Sequence, residues 1–436
     1  MNVLVLGGGG REHAIGWKLA QSPLLGQLVS CPGNPGLADI GDVVTDVDAN
    51  DPQSVVRLCQ DRSIDLVVVG PEGPLAAGVA DALRSVNISV FGPNSDAARI
   101  ESSKSFAKEI MASARVPTAK SGEYFDRESA VARLEEMDGP YVVKADGLAA
   151  GKGVLVTKSL EQAVTWAEEC LGGRFGAAGE SVVIEDFLDG AEVSVIYMCA
   201  GGEALPLPPA RDYKRLYDNG EGPNTGGMGS YSPVTDIPES LVEWTTANVT
   251  IPVLNELTRR GIAYTGFLYI GLMLTDDGPQ VLEFNCRLGD PEAQAILPRM
   301  ESDFLEVLAA GAKDELAGRT LEWSPKVAVD VVLAAPGYPR SPDVGMAIIG
   351  LDKVSEALVF HAGTTNMPTG LVTAGGRVVN VVGVCNTFVE AREAAYAAAD
   401  LIQFRGVQFR TDIAAVEVVR SETGGGDSEI GGGDTE

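Results

Sequence analysis

The chain has 436 residues, 45% of them apolar, enough for a buried core and about three domains at ~150 residues each. Its 33 basic against 61 acidic side chains give a formal charge of −28, which argues against a nucleic-acid polymer as partner, because such binders carry a basic footprint. No apolar run approaches the ~18 residues of a membrane span, and the start MNVLVLGGGGREH lacks a signal peptide's basic lead and cleavage site, so no membrane partner and a cytoplasmic location are expected.

In chain order, the first hundred residues alternate apolar runs with helical patterns: NVLVLG, Arg11 to Gln21, QLVSCPGN, Pro52 to Asp61, IDLVVVGPE, Pro74 to Ser85 and ISVFGPN. That alternation predicts a parallel sheet with crossover helices. Ligands then belong at the strand C-termini, where GGGGRE, PGNPG, GPEGP and GPN stand. A helix is expected from Ser95 to Ala114, ended by Pro117. The runs YVVKADG, GVLVTK and SVVIEDF, with helices Glu128 to Met137 and Leu160 to Leu171, make a compact α+β insert. Next come strand AEVSVIYMCA, a polar segment, helix Pro238 to Arg260, hairpin GFLYIGLMLTDDGPQVLEFN and helix Pro291 to Leu316. After Trp323 the runs VAVDVVLAA, LVFHAGT and RVVNVVGV indicate a mainly β terminal domain closed by helix Val389 to Leu401. The glycine-rich, acidic end, SETGGGDSEIGGGDTE, is too poor in apolar residues to offset its ordering entropy and is expected to be disordered. The six cysteines show no C-x-x-C pair or zinc spacing, so buried free thiols are expected.

GGGGREHAIG follows a strand and opens a helix, where backbone N–H groups and the helix dipole bind anions. It fails the dinucleotide fingerprint, because Glu12 or His13 stands where the last glycine is required. A smaller phosphorylated ligand is the better reading. A cation at the helix start, Arg11, is unfavourable unless an anion arrives, which argues against a ligand-free turn.

VVKADGLAAGKGVLV invites a Walker reading and fails it. Three residues, not four, separate Gly147 from Gly151, Gly153 replaces the metal-binding hydroxyl, and a strand follows in place of a helix. The stretch reads instead as a hairpin flap over a triphosphate, with Lys144 and Lys152 supplying charge. In VVIEDFLDGAEVSV, the backbone from Glu185 through Phe187 to Leu188 can meet an adenine edge and Glu192 a ribose, although a plain connection fits equally.

LEFNCRLGDPEAQ carries the strongest local signal. Alternate strand residues Glu283, Asn285 and Arg287 share a face, where carboxylate and amide oxygens suit Mg²⁺ beside phosphates and the arginine offsets phosphoryl charge. Asp290 and Glu292 begin the next helix, with an N-cap as the plain reading of Asp290. The segment GPNTGGMGSYSP, containing Asn224, Thr225, Gly226, Gly227, Met228 and Gly229, is too glycine-rich for a buried strand and reads as a mobile substrate loop. Arg211, Asp212, Lys214 and Arg215 before it suit charged ligands. His13 and His361 are expected to be structural, and no nucleophile triad is present.

Lys104, the flap, the hinge and the metal strand, in this order, resemble an ATP-grasp ligase. With GGGGREHA, PGNPG, VVVGPEGPL, VFGPN, RDYKR, GPNTGGMGSYSP, YTGFLYIGLM, FHAGT and GGRVVNVVG, the chain closely resembles the phosphoribosylamine-glycine ligase (glycinamide ribonucleotide synthetase) family over roughly residues 1 to 413. It departs in Gly8, where asparagine is expected, in AAVEV near the end, and in the acidic tail.

The resemblance implies a multidomain α/β and α+β fold. Its parts are a parallel α/β sugar-phosphate domain at 1–101, an ATP-grasp core at 102–324 with a lid at about 116–189, a mainly β domain at 325–420 and a tail at 421–436. It implies no further fused enzyme. The implied reaction joins glycine to 5-phosphoribosylamine through glycyl phosphate, using ATP and Mg²⁺ or Mn²⁺. ATP would meet Lys104, Lys144, Gly147, Gly151, Lys152, Gly153, the hinge, Glu192 and Lys214, with the metal on Glu283 and Asn285. Arg287, Asp290 and Asp212 would serve catalysis near glycine and the 224–229 loop. The sugar phosphate would meet Gly9, Gly10, Arg11, Glu12, Asn34 and Glu72. A monomer is expected, with self-association open. Another ATP-grasp ligase such as a bicarbonate-using carboxylase, a nucleotide-binding regulator without catalysis, and a dehydrogenase remain as alternatives.

Overall fold

Asn2–Gly7, Gln27–Pro32, Leu66–Val69 and Ser89–Phe91 are short apolar strands whose side chains are largely buried on both faces, the mark of a parallel sheet covered by helices. With Asp42–Val43 they form an all-parallel sheet in the spatial order 42–43, 27–32, 2–7, 66–69, 89–91. The order reverses at Asn2–Gly7, so the loops after Gly7 and Val69 flank the crevice where such sheets bind ligands. The computed structural model describes residues 1–148 and 153–423. Gly151 and Lys152 of the flap, and 424–436 of the expected tail, lie outside the described residues. Helix Ala415–Thr423, absent from the sequence expectations, runs three residues into the segment assigned to the tail.

The helix expected over 95–114 is two helices, Ser95–Ser102 and Lys104–Ala114, broken at an extended Ser103. Asp146 explains the break. Its carboxylate accepts from Ser105 N at 2.6 Å and from Ser103 Oγ at 3.1 Å, so two groups at the turn are bonded by the flap strand's end. Lys104 is thereby held at the flap.

Ser121–Tyr124, Val182–Asp186, Tyr141–Ala145 and Val154–Thr157 form an antiparallel sheet in that order. Helices Arg127–Glu135 and Leu160–Glu169 give it a core of its own, with Leu134, Val143, Ala163 and Ile184 buried together. The flap is the expected hairpin, Lys144 lying opposite Val154. Beside it a second antiparallel sheet runs Glu203–Pro206, Ala191–Ala200, Gly266–Thr275, Gly278–Asn285.

The last sheet corrects the reading of the glycine-rich loop. Its order is Arg211–Asp212, Gly229–Ser232, Val327–Ala334, Arg377–Cys385, Leu358–His361, so two strands of the C-terminal sheet come from the 211–232 segment. Gly229–Ser232 is fully buried, although a strand so rich in small residues was not expected to be. Glycine is what permits it: a Cβ on Gly229 would lie 2.6 Å from Asp330 O and 2.8 Å from Ile413.

The helix expected over 291–316 is also divided. Glu292–Ile296 passes into a 3₁₀ turn containing Pro298, which lacks an N–H; Met300 is extended, and Phe304–Gly311 starts afresh with Asp303 capping Glu306 N. Among the described residues no helix is long and apolar enough to cross a membrane, and all six cysteines are free.

Candidate active site

One cavity of about 370 Å³ opens between the flap sheet, the second antiparallel sheet and the first sheet's loops. Its lining combines apolar side chains, Met111, Val142, Val156, Leu188, Met273 and Phe284, with charged and polar ones, Glu72, Glu101, Lys104, Glu283, Asn285, Arg287 and Asp290. A lining of both kinds suits a flat base joined to phosphates.

The flap's cation is set by a buried triad. Lys144 Nζ lies 3.0 Å from Glu185 Oε1, and Lys108 Nζ lies 3.3 Å from Glu185 Oε2. The Glu185 side chain is therefore committed to two lysines, and Phe187 and Leu188 line the cavity after it. Lys104 Nζ donates to Gly147 O at 3.1 Å, which ties it to the flap; burial lowers its ammonium pKa. Glu192 and Lys214 form an ion pair on the cavity wall.

Glu283 and Asn285 end their strand, and Arg287 follows in a bend; all three line the cavity. Burial pushes Glu283 upward, but Lys214, Lys144, Lys104 and Arg287 together hold it below the usual carboxylate range, so it is anionic. The Asn285 amide nitrogen is best placed donating to Glu101 Oε1 at 3.1 Å, which leaves its oxygen as the atom able to ligate. Among the described residues no three His, Cys, Asp or Glu side chains gather as a metal cluster. A carboxylate and an amide oxygen match the sparse protein share of a Mg²⁺ site completed by phosphate oxygens.

Arg287 lies between two carboxylates, Nε 3.1 Å from Glu72 and Nη2 3.0 Å from Glu101, and their charge outweighs burial to raise its pKa. Asp212 is pushed well above the usual carboxylate range by burial and by the neighbouring charges of Glu292, Glu192 and Glu283, against the pull of Lys214.

Three family models match in succession: the phosphoribosylglycinamide synthetase N domain at 1–101, its ATP-grasp (A) domain at 102–293 and its C domain at 328–416. The chain belongs to this family. A phosphoribosylamine–glycine ligase of Mesorhizobium japonicum is 45% identical over 96% of this chain and 99% of its own length. One from Caulobacter vibrioides is 46% identical over 95% and 97%. The crystal structure of the Thermotoga maritima ligase superposes with a TM-score of 0.81 at 36% identity, covering 94% of this chain and 100% of that one. At 16% identity and a TM-score of 0.70, the biotin carboxylase domain of Hydrogenobacter thermophilus 2-oxoglutarate carboxylase shares the fold, over 93% of this chain and 91% of its own.

Within this synthetase-family chain, the residues expected to meet the nucleotide, Lys104, Lys144, Gly147, Gly153, Glu185, Phe187, Leu188, Glu192 and Lys214, all line the cavity. So do Glu72, Asp212, Asn224, Thr225, Gly226, Glu283, Asn285, Arg287 and Asp290. The sugar-phosphate set differs. Gly9, Gly10, Arg11, Glu12 and Asn34 are not on the cavity wall, and Arg11 and Glu12 are 6% and 2% exposed.

Arg11 needs no external anion, because Glu12 supplies one. Arg11 Nε meets Glu12 Oε1 at 2.6 Å, and Glu12 Oε2 accepts from Gly9 N at 2.6 Å. Glycines make room for that carboxylate: a Cβ on Gly7, Gly9 or Gly70 would come within 2.7, 2.8 or 2.2 Å of it. Asn34 caps the helix Pro35–Ala38 and donates to Gly8 O and His361 O. Met228 is fully buried against Leu216 and Ala334, and a Cβ on Gly227 would meet Pro291 at 2.4 Å, so these two and Gly229 serve packing and not the cavity wall.

Asp290 is not a helix cap. Its carboxylate accepts from Gln294 Nε2 at 2.7 Å and pairs with Arg377 at 3.1 Å. His13 and His361 are structural as expected: His361 N donates to His13 Nδ1 at 2.8 Å, and burial with the His361 charge lowers His13 to about 3. Sequence reasoning missed Glu101, Lys108, Tyr269 and Arg377 as parts of the site. Glu101 sits on the first helix of the broken pair and Lys108 on the second, and each helix carries several other polar residues, so no local signal singled them out.

Proposed function

We propose that the chain is an ATP-dependent ligase joining glycine to 5-phosphoribosylamine, giving glycinamide ribonucleotide, ADP and phosphate in purine biosynthesis in the cytoplasm. The observation carrying this reading is the cavity whose lysines and hinge face Glu283, Asn285 and Arg287, within a chain similar to such ligases along nearly its whole length.

A glycine carboxylate oxygen attacks the γ-phosphorus, the bond to the β-phosphate oxygen breaks, and ADP leaves. The sugar amine then attacks the carbonyl carbon of glycyl phosphate, losing a proton as the phosphate departs with the bonding pair. No enzyme nucleophile is required, since the phosphate activates the acyl group, which accounts for the absence of a triad. Lys104, Lys144 and the flap hold the phosphates, and Phe187 and Leu188 the base. Glu192 and Lys214 flank the ribose and phosphates. Arg287 offsets charge on the transferred group once its two carboxylate partners share it. Mg²⁺ or Mn²⁺, held by Glu283 and Asn285, neutralises phosphate charge when bound. Asp212 and Asp290 border the glycine, beside Asn224, Thr225 and Gly226. Glu72 faces the sugar phosphate, and Glu12 and Asn34 hold the shape of the glycine-rich first loop behind the wall. Closure of the flap sheet excludes the water that would hydrolyse the acyl phosphate.

The test is ADP release from ATP and Mg²⁺ with glycine, adding phosphoribosylamine generated from ribose 5-phosphate and ammonia. ADP formation dependent on both is expected; release that ignores either one ends this reading.

A further inference from the structure

The acceptor side of the cavity is closed by a segment that the mechanism above leaves unused. In GGRVVNVVG, Arg377 stands at the start of a C-terminal strand, more than 80 residues beyond Asp290. Its guanidinium reaches back into the site. Nη1 donates to Gly226 O and to Asp290 O, each at 2.6 Å, and Nη2 lies 3.1 Å from Asp290 Oδ2. From the same C-terminal part, Tyr338 Oη accepts from Gly226 N at 2.8 Å. Both backbone groups of Gly226 are thus bonded by C-terminal side chains, and that residue lines the cavity. A side chain at 226 would crowd the pair, since a Cβ there would lie 3.2 Å from Arg377 Cζ and 3.3 Å from Tyr338 Oη.

Asp290 ties the arrangement to the first loop: a Cβ on Gly9 would approach its Oδ2 to 3.4 Å. The Arg377 charge helps, against burial, to hold Asp290 anionic. One planar fork therefore joins the 224–229 loop, the residue after the metal strand and the C-terminal sheet. A lysine could not bond Gly226 O and Asp290 at once from fixed directions.

We propose that Arg377, with Tyr338, is a positioning residue for the acceptor side of the reaction: it fixes Asp290 and the 224–229 loop where glycine and the amine bind, and leaves the nucleotide side alone. Nothing in the nucleotide-side set, Lys104, Lys144, Lys108, Glu185 or Glu192, is bonded to Arg377 or Tyr338. The proposal rests on the ligase reading, and the experiment separates the two.

The full-length wild-type chain is assayed first for ADP release dependent on glycine and phosphoribosylamine; failure there ends the ligase reading and not this one alone. With that activity in hand, R377M, R377K and Y338F are compared. Expected for R377M is a rise of about 10- to 100-fold in KM for glycine and the amine, the scale of losing charge-assisted bonds, with KM for ATP within about twofold of wild type. R377K should recover less than a tenth of the loss, and Y338F should raise the same two constants about threefold to tenfold. If R377M does not fold, R377K and Y338F carry the test. A rise in the ATP constant in step with the others, or glycine and amine constants that do not move, overturns the proposal.

Discussion

The two walls of the cavity are built differently. On the side proposed for the nucleotide, the charged groups line the cavity from separate strands: Lys144, paired with Glu185, from the flap, Glu283 and Asn285 from one strand end, and Glu192, paired with Lys214, from a strand two places across the same sheet. On the side proposed for the acceptors, much of the charge lies behind the wall, where Arg11 pairs with Glu12 and Arg377 reaches forward to Asp290, the one of these four that lines the cavity. The nucleotide wall offers ligands, whereas much of the acceptor wall's charge holds loops in place. A mutation should accordingly cost turnover where the charged group lines the cavity, and folding stability or loop position where it lies behind the wall.

The largest effect belongs to Glu283→Gln. The amide keeps the shape and loses the anion that four cations surround, so turnover should fall to background, beyond the ~10³-fold cost of one transition-state contact. The thermal midpoint should stay near wild type, because Glu283 lines a cavity and its nearest cation, Lys214, keeps Glu192. Near-normal turnover in this variant would remove the metal assignment.

Glu12→Ala probes the other wall. It leaves the Arg11 guanidinium buried without its carboxylate and Gly9 N without its acceptor, a loss of about 3–5 kcal/mol of stability. Denaturant titration reads this directly. A variant as stable as wild type, but with a raised constant for the sugar amine alone, would make Glu12 a ligand contact and erase the contrast between the walls.

How far each wall could be read in the sequence follows the same division. The nucleotide wall was legible because strand alternation places Glu283 and Asn285 on one face, and because the hairpin's spacing ruled out a Walker loop and left Lys144 on a strand. The parallel sheet was legible from apolar runs punctuated by glycine. The acceptor wall was not, because its contacts span from Gly9 to Asp290 and from Gly226 to Arg377, and no local period encodes such pairs. Arg11 was read as awaiting an anion because helix-dipole reasoning sees the cation and not the adjacent Glu12 folding back to meet it. Gly229 was read as loop for its composition, when the absent Cβ is what lets a strand pass beside Asp330.

The smallest predicted effect tests whether that inward bonding extends to the histidines behind the acceptor loops. His13 is buried, its Nδ1 accepts from His361 N, and its pKa falls from 6.5 to about 3. The unfolded chain therefore binds a proton that the folded chain refuses between those values, so stability present above pH 6.5 is lost as pH falls toward 3. Relative to pH 8 the loss from this one group is ~0.8 kcal/mol at pH 6 and ~2 kcal/mol at pH 5. His13→Gln keeps an acceptor for the His361 amide and removes the titration. Its stability, measured by denaturant at each pH, should fall less steeply than wild type by those amounts. Parallel curves would mean that the His13 ring is protonated in the folded chain, and that the loops it supports are open to water where the acceptor wall is drawn as closed.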